Sequence, residues 1–75
     1  SNEYYIRYGE ISIGDNVFIG TNSTILYDVK IGNNVIIGAG SLINKDIPDG
    51  VIVAGVPGRI IGSFDKYKEK IYLNK

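Results

Sequence analysis

The 75-residue chain contains no cysteine and no histidine. Without cysteine there is no disulfide framework and no thiolate metal site. Without histidine the commonest general base and the commonest metal ligand are lost together. A histidine-based triad, a zinc hydrolase and a histidine proton relay are therefore excluded for this chain. A charge excess of either sign is also missing, because eight Lys and Arg cancel eight Asp and Glu. No global field draws nucleic acid or a membrane surface toward it. No apolar run approaches the ~20 residues that span a bilayer, and the polar, tyrosine-rich start does not read as a signal peptide. The resulting expectations are a cytoplasmic setting, no nucleic-acid partner and no membrane insertion. One domain at most fits this length.

Isoleucine is abundant, and its spacing carries most of the information. Ile13, Ile19, Ile25, Ile31, Ile37 and Ile43 recur every six residues. Cut there, the chain reads IGDNVF, IGTNST, ILYDVK, IGNNVI, IGAGSL, INKDIP. The fifth position holds Val17, Ser23, Val29, Val35, Ser41 and Ile47, all small or β-branched. On a helix, at about 100° per residue, a step of six would scatter the isoleucines over three faces. On a strand they align, because six is a multiple of the two-residue side-chain period. The triplets between them (GDN, GTN, LYD, GNN, GAG, NKD) favour positive φ and tight turns.

Each unit is thus a short strand plus a corner, and three units close a triangular coil. This pattern predicts a β-solenoid in which coils stack and bury a column of isoleucine. Residues 13–30 and 31–48 make two coils, and 7–12 offer part of another, with Arg7 out of phase. An antiparallel meander is the alternative, although it has no reason to keep a step of six. Two coils leave strand edges and apolar ends open, so more coils or a partner subunit are expected. Pro48 and Pro57 are expected to end the register and turn the chain off the prism. Asp46 and Asp49 read as solvated turn carboxylates.

After Gly62 the pattern changes. Phe64, Tyr67, Lys68, Ile71 and Tyr72 fall at helical spacing, with Ser63 as N-cap. The expected organisation is an N-terminal segment at 1–8 that fits neither pattern, a repeat region with its exit loop at 9–62, and a helix at 63–75. The helix is expected to pack on its own or a neighbouring solenoid.

Read as Ile-Gly-x-x-Val/Ser-x, the repeat resembles the hexapeptide-repeat acyltransferases. Toward the C-terminus the ordered strings IGAGS, KDIP and AGVPGR look like the final coils of the galactoside, maltose and polysaccharide O-acetyltransferases. The resemblance implies an all-β fold, a left-handed parallel β-helix of about two to three coils with a short C-terminal α-helix. It also implies a homotrimer, with acetyl-CoA lying between neighbouring subunits and no metal. The family's catalytic histidine and its sugar-hydroxyl acceptor site come from upstream coils. The chain is therefore expected to be the C-terminal, cofactor-side part of such an enzyme, with no catalytic residue of its own and no activity alone.

Five positions match the family's cofactor contacts. Thr21, at the corner of IGTNST, corresponds to a residue near the thioester arm. Ala39 of IGAGS is small enough to let an extended arm lie against backbone amides. Asn44 and Lys45 stand where the family usually has Thr-Lys, at the nucleotide end; Lys45 supplies an ammonium for phosphate. Arg59 of AGVPGR can fork onto phosphate or stack on adenine. Three positions further on, many relatives carry a second basic residue, and this chain has Gly62.

Other readings fit parts of the pattern. A non-catalytic solenoid serving trimerisation or assembly explains the missing histidine and leaves KDIP and AGVPGR unexplained. A γ-class carbonic anhydrase needs three histidines on zinc. An ice-binding β-helix needs a Thr-x-Thr ladder that is not present.

Overall fold

Alternation along an extended backbone points each repeat isoleucine and its neighbour two residues earlier to the same side. In the computed structural model, which describes residues 4–5 and 10–73, that side is the inside of a three-faced prism. The described strands are β1 (Tyr4–Tyr5), β2 (Ser12–Ile13), β3 (Val17–Ile19), β4 (Ser23–Ile25), β5 (Lys30–Ile31), β6 (Val35–Ile37), β7 (Leu42–Ile43), β8 (Val51–Ala54) and β9 (Arg59–Ser63). A helix, α1 (Phe64–Leu73), follows. The faces are β1-β4-β7, β2-β5 and β3-β6-β8-β9, and every pairing except β8 with β9 is parallel. This is a left-handed parallel β-helix.

The register shows the coil length directly. Ile13 pairs with Ile31, Val17 with Val35 and Ile25 with Ile43, each eighteen residues apart. Corners recur in step: Asn16, Asn22, Asp28 and Asn34 have φ between 56° and 62°, and Gly40 has φ 70°. Asn and Asp are the side-chain-bearing residues that adopt this left-handed state most readily. Corners also bond along the stack. Asp15 N–H donates to Asn33 Oδ1 at 2.7 Å, and Asn16 Nδ2 donates to Asn34 Oδ1 at 2.9 Å.

Ile19, Ile25, Ile31, Ile37 and Ile43 form the buried column, with Val29 and Val35 beside them. Ser23 and Ser41 fill the equivalent inner positions on the β4–β7 face, each 1% exposed. Ile13, at the open first coil, is 37% exposed and does not share the column's burial.

The third coil departs from the sequence expectation. Ile47 pairs with Ile31 and Val53 with Ile37, sixteen residues apart in each case. Ile47 therefore occupies the repeat position itself, four residues after Ile43, and not the fifth position of the preceding unit. Two residues of strand are missing at this corner. The Asp46 side chain substitutes for them, its Oδ1 accepting the Lys30 N–H at 2.9 Å where a strand carbonyl would stand. Asp49 acts similarly, accepting Asn33 N–H at 2.7 Å. Both carboxylates are thus exposed coil-to-coil acceptors and not merely solvated. Pro48 does not end the prism either, because β8 continues the β3–β6 face and buries Val53 completely.

The chain leaves the prism later, through Pro57. It returns as β9, antiparallel to β8, in a stretch read from sequence as exit loop. Ser63 caps α1 as expected, its Oγ accepting Lys66 N–H at 3.1 Å. Phe64 N–H ties the helix start to Gly50 O at 2.9 Å. Within the unassigned first eight residues, Tyr4–Tyr5 pair with Ser23–Thr24 of β4. Arg7, Tyr8 and residues 74–75 lie outside the described residues. Among the described residues no helix is long and apolar enough to cross a membrane.

Burial decides what each isoleucine contributes. Ile37→Ala, at a fully buried site, is expected to destabilise by about 2–5 kcal/mol. Ile13→Ala, at the open coil, should cost less than about 1.5 kcal/mol because the site is already partly hydrated. Urea denaturation of the two variants checks the contrast.

Candidate functional site

The shortened corner and the loop after β8 enclose one side of a groove. Because Asn44, Lys45 and Asp46 are the only residues between Ile43 and Ile47, the corner turns two residues early. The loop Gly55–Gly58 continues the ladder on β7. Leu42 N–H donates to Gly55 O at 3.0 Å, and Gly58 N–H donates to Leu42 O at 2.7 Å. Position 58 is tight: a Cβ there would meet Ile43 Cδ1 at 2.9 Å, Val53 Cγ1 at 3.0 Å and Leu42 O at 3.1 Å. The Val56–Pro57 peptide is cis.

The resulting cavity has a volume of about 400 Å³. Asn44, Lys45 and Asp46 line one wall and Pro57, Gly58, Arg59 and Ile60 the other. Lys45 and Arg59 are the two cations of the lining and Asp46 its one carboxylate, held at one oxygen by the Lys30 amide. Both cations are exposed. Two cations beside an apolar wall of Pro57 and Ile60 suit a phosphorylated ligand carrying a flat ring. The ammonium acts as a point charge, while the guanidinium offers a fork for phosphate and a plane for stacking. Among the described residues no group of three or more His, Cys, Asp and Glu is placed to hold a metal ion.

Of the five sequence-predicted positions, Asn44, Lys45 and Arg59 meet in this groove. Thr21 and Ala39 do not line it. They stack on a different corner, where Gly40 N–H donates to Thr21 O at 2.9 Å. That corner is tight: a Cβ on Gly20 would lie 2.7 Å from Ala39 Cα. Thr21 and Ala39 are both exposed there. Strand β7 runs from the Ala39 corner to Asn44, at most about 18 Å of extended chain. The two groups therefore sit at opposite ends of one face. Sequence reasoning missed Asp46, Gly58 and Ile60 as groove residues. Gly58 was signalled by its place in AGVPGR; Ile60 was not, because the return strand β9 left no periodic trace.

Residues 10–45 match the family model described as bacterial transferase hexapeptide (six repeats). The chain belongs to this hexapeptide-repeat family. It is 54% identical over 68 residues to the protein CapG of Staphylococcus aureus, covering 91% of this chain and 40% of that one. A galactoside acetyltransferase solved in complex with coenzyme A superposes with a TM-score of 0.74 at 47% identity, over 79% of this chain and 30% of that one. A maltose O-acetyltransferase from Clostridium difficile 630 gives a TM-score of 0.72 at 45% identity, over 73% and 29%. The chain spans less than half the length of the curated relatives it matches.

Gly58 in the groove and Gly62 further along β9 distinguish tight packing from open space. Gly58→Val is expected to destabilise by about 1–3 kcal/mol, the usual range for overpacking. At Gly62 a Cβ meets only Ile52 Cδ1, at 3.7 Å, so Gly62→Ala should stay within about 1 kcal/mol. Thermal unfolding of the two variants measures the difference.

Proposed function

We propose that the chain is the cofactor-side part of an acetyl-CoA-dependent O-acetyltransferase acting on a hydroxyl of a sugar or polysaccharide unit. The observation that carries this reading is the groove that unites Asn44, Lys45 and Arg59, in a chain 47% identical to an acetyltransferase holding coenzyme A. Acetyl-CoA supplies an activated thioester carbonyl. Lys45 and Arg59 hold its phosphates, and Arg59 with Pro57 and Ile60 faces the adenine. Asn44 offers an amide donor and acceptor at the same end. Thr21 and Ala39, on the neighbouring corner, let the thin acyl-bearing arm approach backbone amides without obstruction.

A histidine general base deprotonates the acceptor hydroxyl in this reading. This chain has none, so the base and the acceptor site belong to other coils of the enzyme and the chain is inactive alone. The galactoside and maltose enzymes among the similar structures support a saccharide acceptor. The cosubstrate supports a cytoplasmic setting. We assign a homotrimer, which would cover the apolar side chains left on the surface: Phe18, Ile60 and Ile61 are 64%, 57% and 65% exposed. The same side chains favour a second reading, a solenoid used only for assembly, which leaves the cation pair unused.

Calorimetric titration with acetyl-CoA separates the two readings. Arg59→Ala should weaken binding by about tenfold or more, the usual loss for a charge-assisted hydrogen bond. Saturable binding that is indifferent to both Arg59→Ala and Lys45→Ala, or no binding at all, would leave the assembly reading.

A further inference from the structure

The inner position two residues before each repeat isoleucine holds valine on most corners. On the β4–β7 face it holds two buried serines instead. A buried hydroxyl is costly unless it is bonded, and both are bonded. Ser23 Oγ donates to Gly38 O at 3.1 Å and accepts the Ser41 N–H at 3.4 Å. These bonds stay within the coil stack. Ser41 Oγ also donates to Gly38 O, at 2.6 Å, but the bond it accepts is different: it comes from Gly55 N–H at 3.2 Å.

Gly55 opens the loop that carries Pro57, Gly58 and Arg59. Its φ of 107° is open to glycine and strained for other residues. The loop's ends are held where Ala54 pairs with Arg59 across β8 and β9, and between those ends three bonds tie it to the coil below. Ser41 Oγ holds the Gly55 amide, Leu42 N–H holds the Gly55 carbonyl, and Leu42 O holds the Gly58 amide one residue before Arg59. Two of the three come from the backbone of β7, which every sequence supplies. The third depends on one side chain.

We propose that Ser41 is a positioning residue for the groove: its buried hydroxyl fixes the start of the Gly55–Gly58 loop and, through it, the placement of Arg59 opposite Lys45. The proposal rests on the acetyl-CoA reading for its functional consequence, while its geometric content stands independently. Ser23 is the matched control, being equally buried and hydroxyl-bearing but without a bond to the loop.

The test compares Ser41→Ala, Ser23→Ala, Arg59→Ala and the Ser41→Ala/Arg59→Ala double variant in the full chain. Two readouts are used, acetyl-CoA affinity by calorimetry and amide hydrogen exchange at Gly58 and Arg59 in the unliganded protein. Ser41→Ala should weaken acetyl-CoA binding about five- to tenfold, the loss expected when one hydrogen bond no longer orders its group. It should also speed exchange at Gly58 and Arg59. Ser23→Ala should change affinity less than about twofold while lowering the melting temperature comparably. The double variant should bind no more weakly than Arg59→Ala, because Ser41 acts through Arg59. Unchanged Gly58 and Arg59 exchange in Ser41→Ala would overturn the proposal, as would a Ser23→Ala loss of affinity equal to that of Ser41→Ala. Faster exchange in a protein that binds no acetyl-CoA would uphold the positioning role and refute the acetyltransferase reading.

Discussion

Coil-to-coil pairing is the constraint on which the structure depends. Each strand from β1 to β7 has only two or three residues with which to bond its neighbour in the next coil, so it cannot fold alone. Stability comes from repeating the same bond and the same buried isoleucine at the same height on every turn. That demand explains the sequence economy of the repeat. Inner positions are restricted to Ile, Val and Ser, while the left-handed corners take Asn, Asp or Gly. Gly20 stands where a Cβ would press into the Ala39 backbone. A change of phase anywhere would uncouple all the coils above it, unless the chain compensates locally.

The change of phase between Ile43 and Ile47 is compensated in that way, and the shortened corner it makes lines the groove. Losing two residues removes a length of strand from the β2–β5 face. Asp46 supplies the missing acceptor to Lys30, and Ile47 resumes the column. Lys45 lines the cavity together with Pro57, Gly58, Arg59 and Ile60. Asp46 lines the same groove while one of its oxygens is held by the Lys30 amide. Structure and site are linked here through this shortened corner.

Much of this was legible in the sequence. A six-residue step excludes a helix and selects a stacked strand, and the Asn-rich triplets mark the corners at Asn16, Asn22, Asp28 and Asn34 that the backbone adopts. The strings KDIP and AGVPGR with their flanks marked three groove residues, Asn44, Lys45 and Arg59. Three features were not legible. The register shift at Ile47 is hidden, because an isoleucine four residues on fits the fifth position of a regular unit equally well. Only the pairing with Ile31 decides between them. Strand β9 lacks alternation, its outward Ile60 and Ile61 being neighbours, so periodicity gave no sign of a return strand. Ser41 looked like one more small inner residue, since its bond to Gly55 spans fourteen positions in sequence.

The central claim is that the shortened corner brings Lys45 and Arg59 into one groove. It is tested most directly by inserting two residues between Lys45 and Asp46, which restores an eighteen-residue coil, and measuring acetyl-CoA affinity alongside cooperative unfolding. The account predicts a folded protein whose affinity falls by at least about tenfold, because the two cations no longer share a ligand. A folded insertion variant that binds acetyl-CoA as tightly as the parent chain would contradict it.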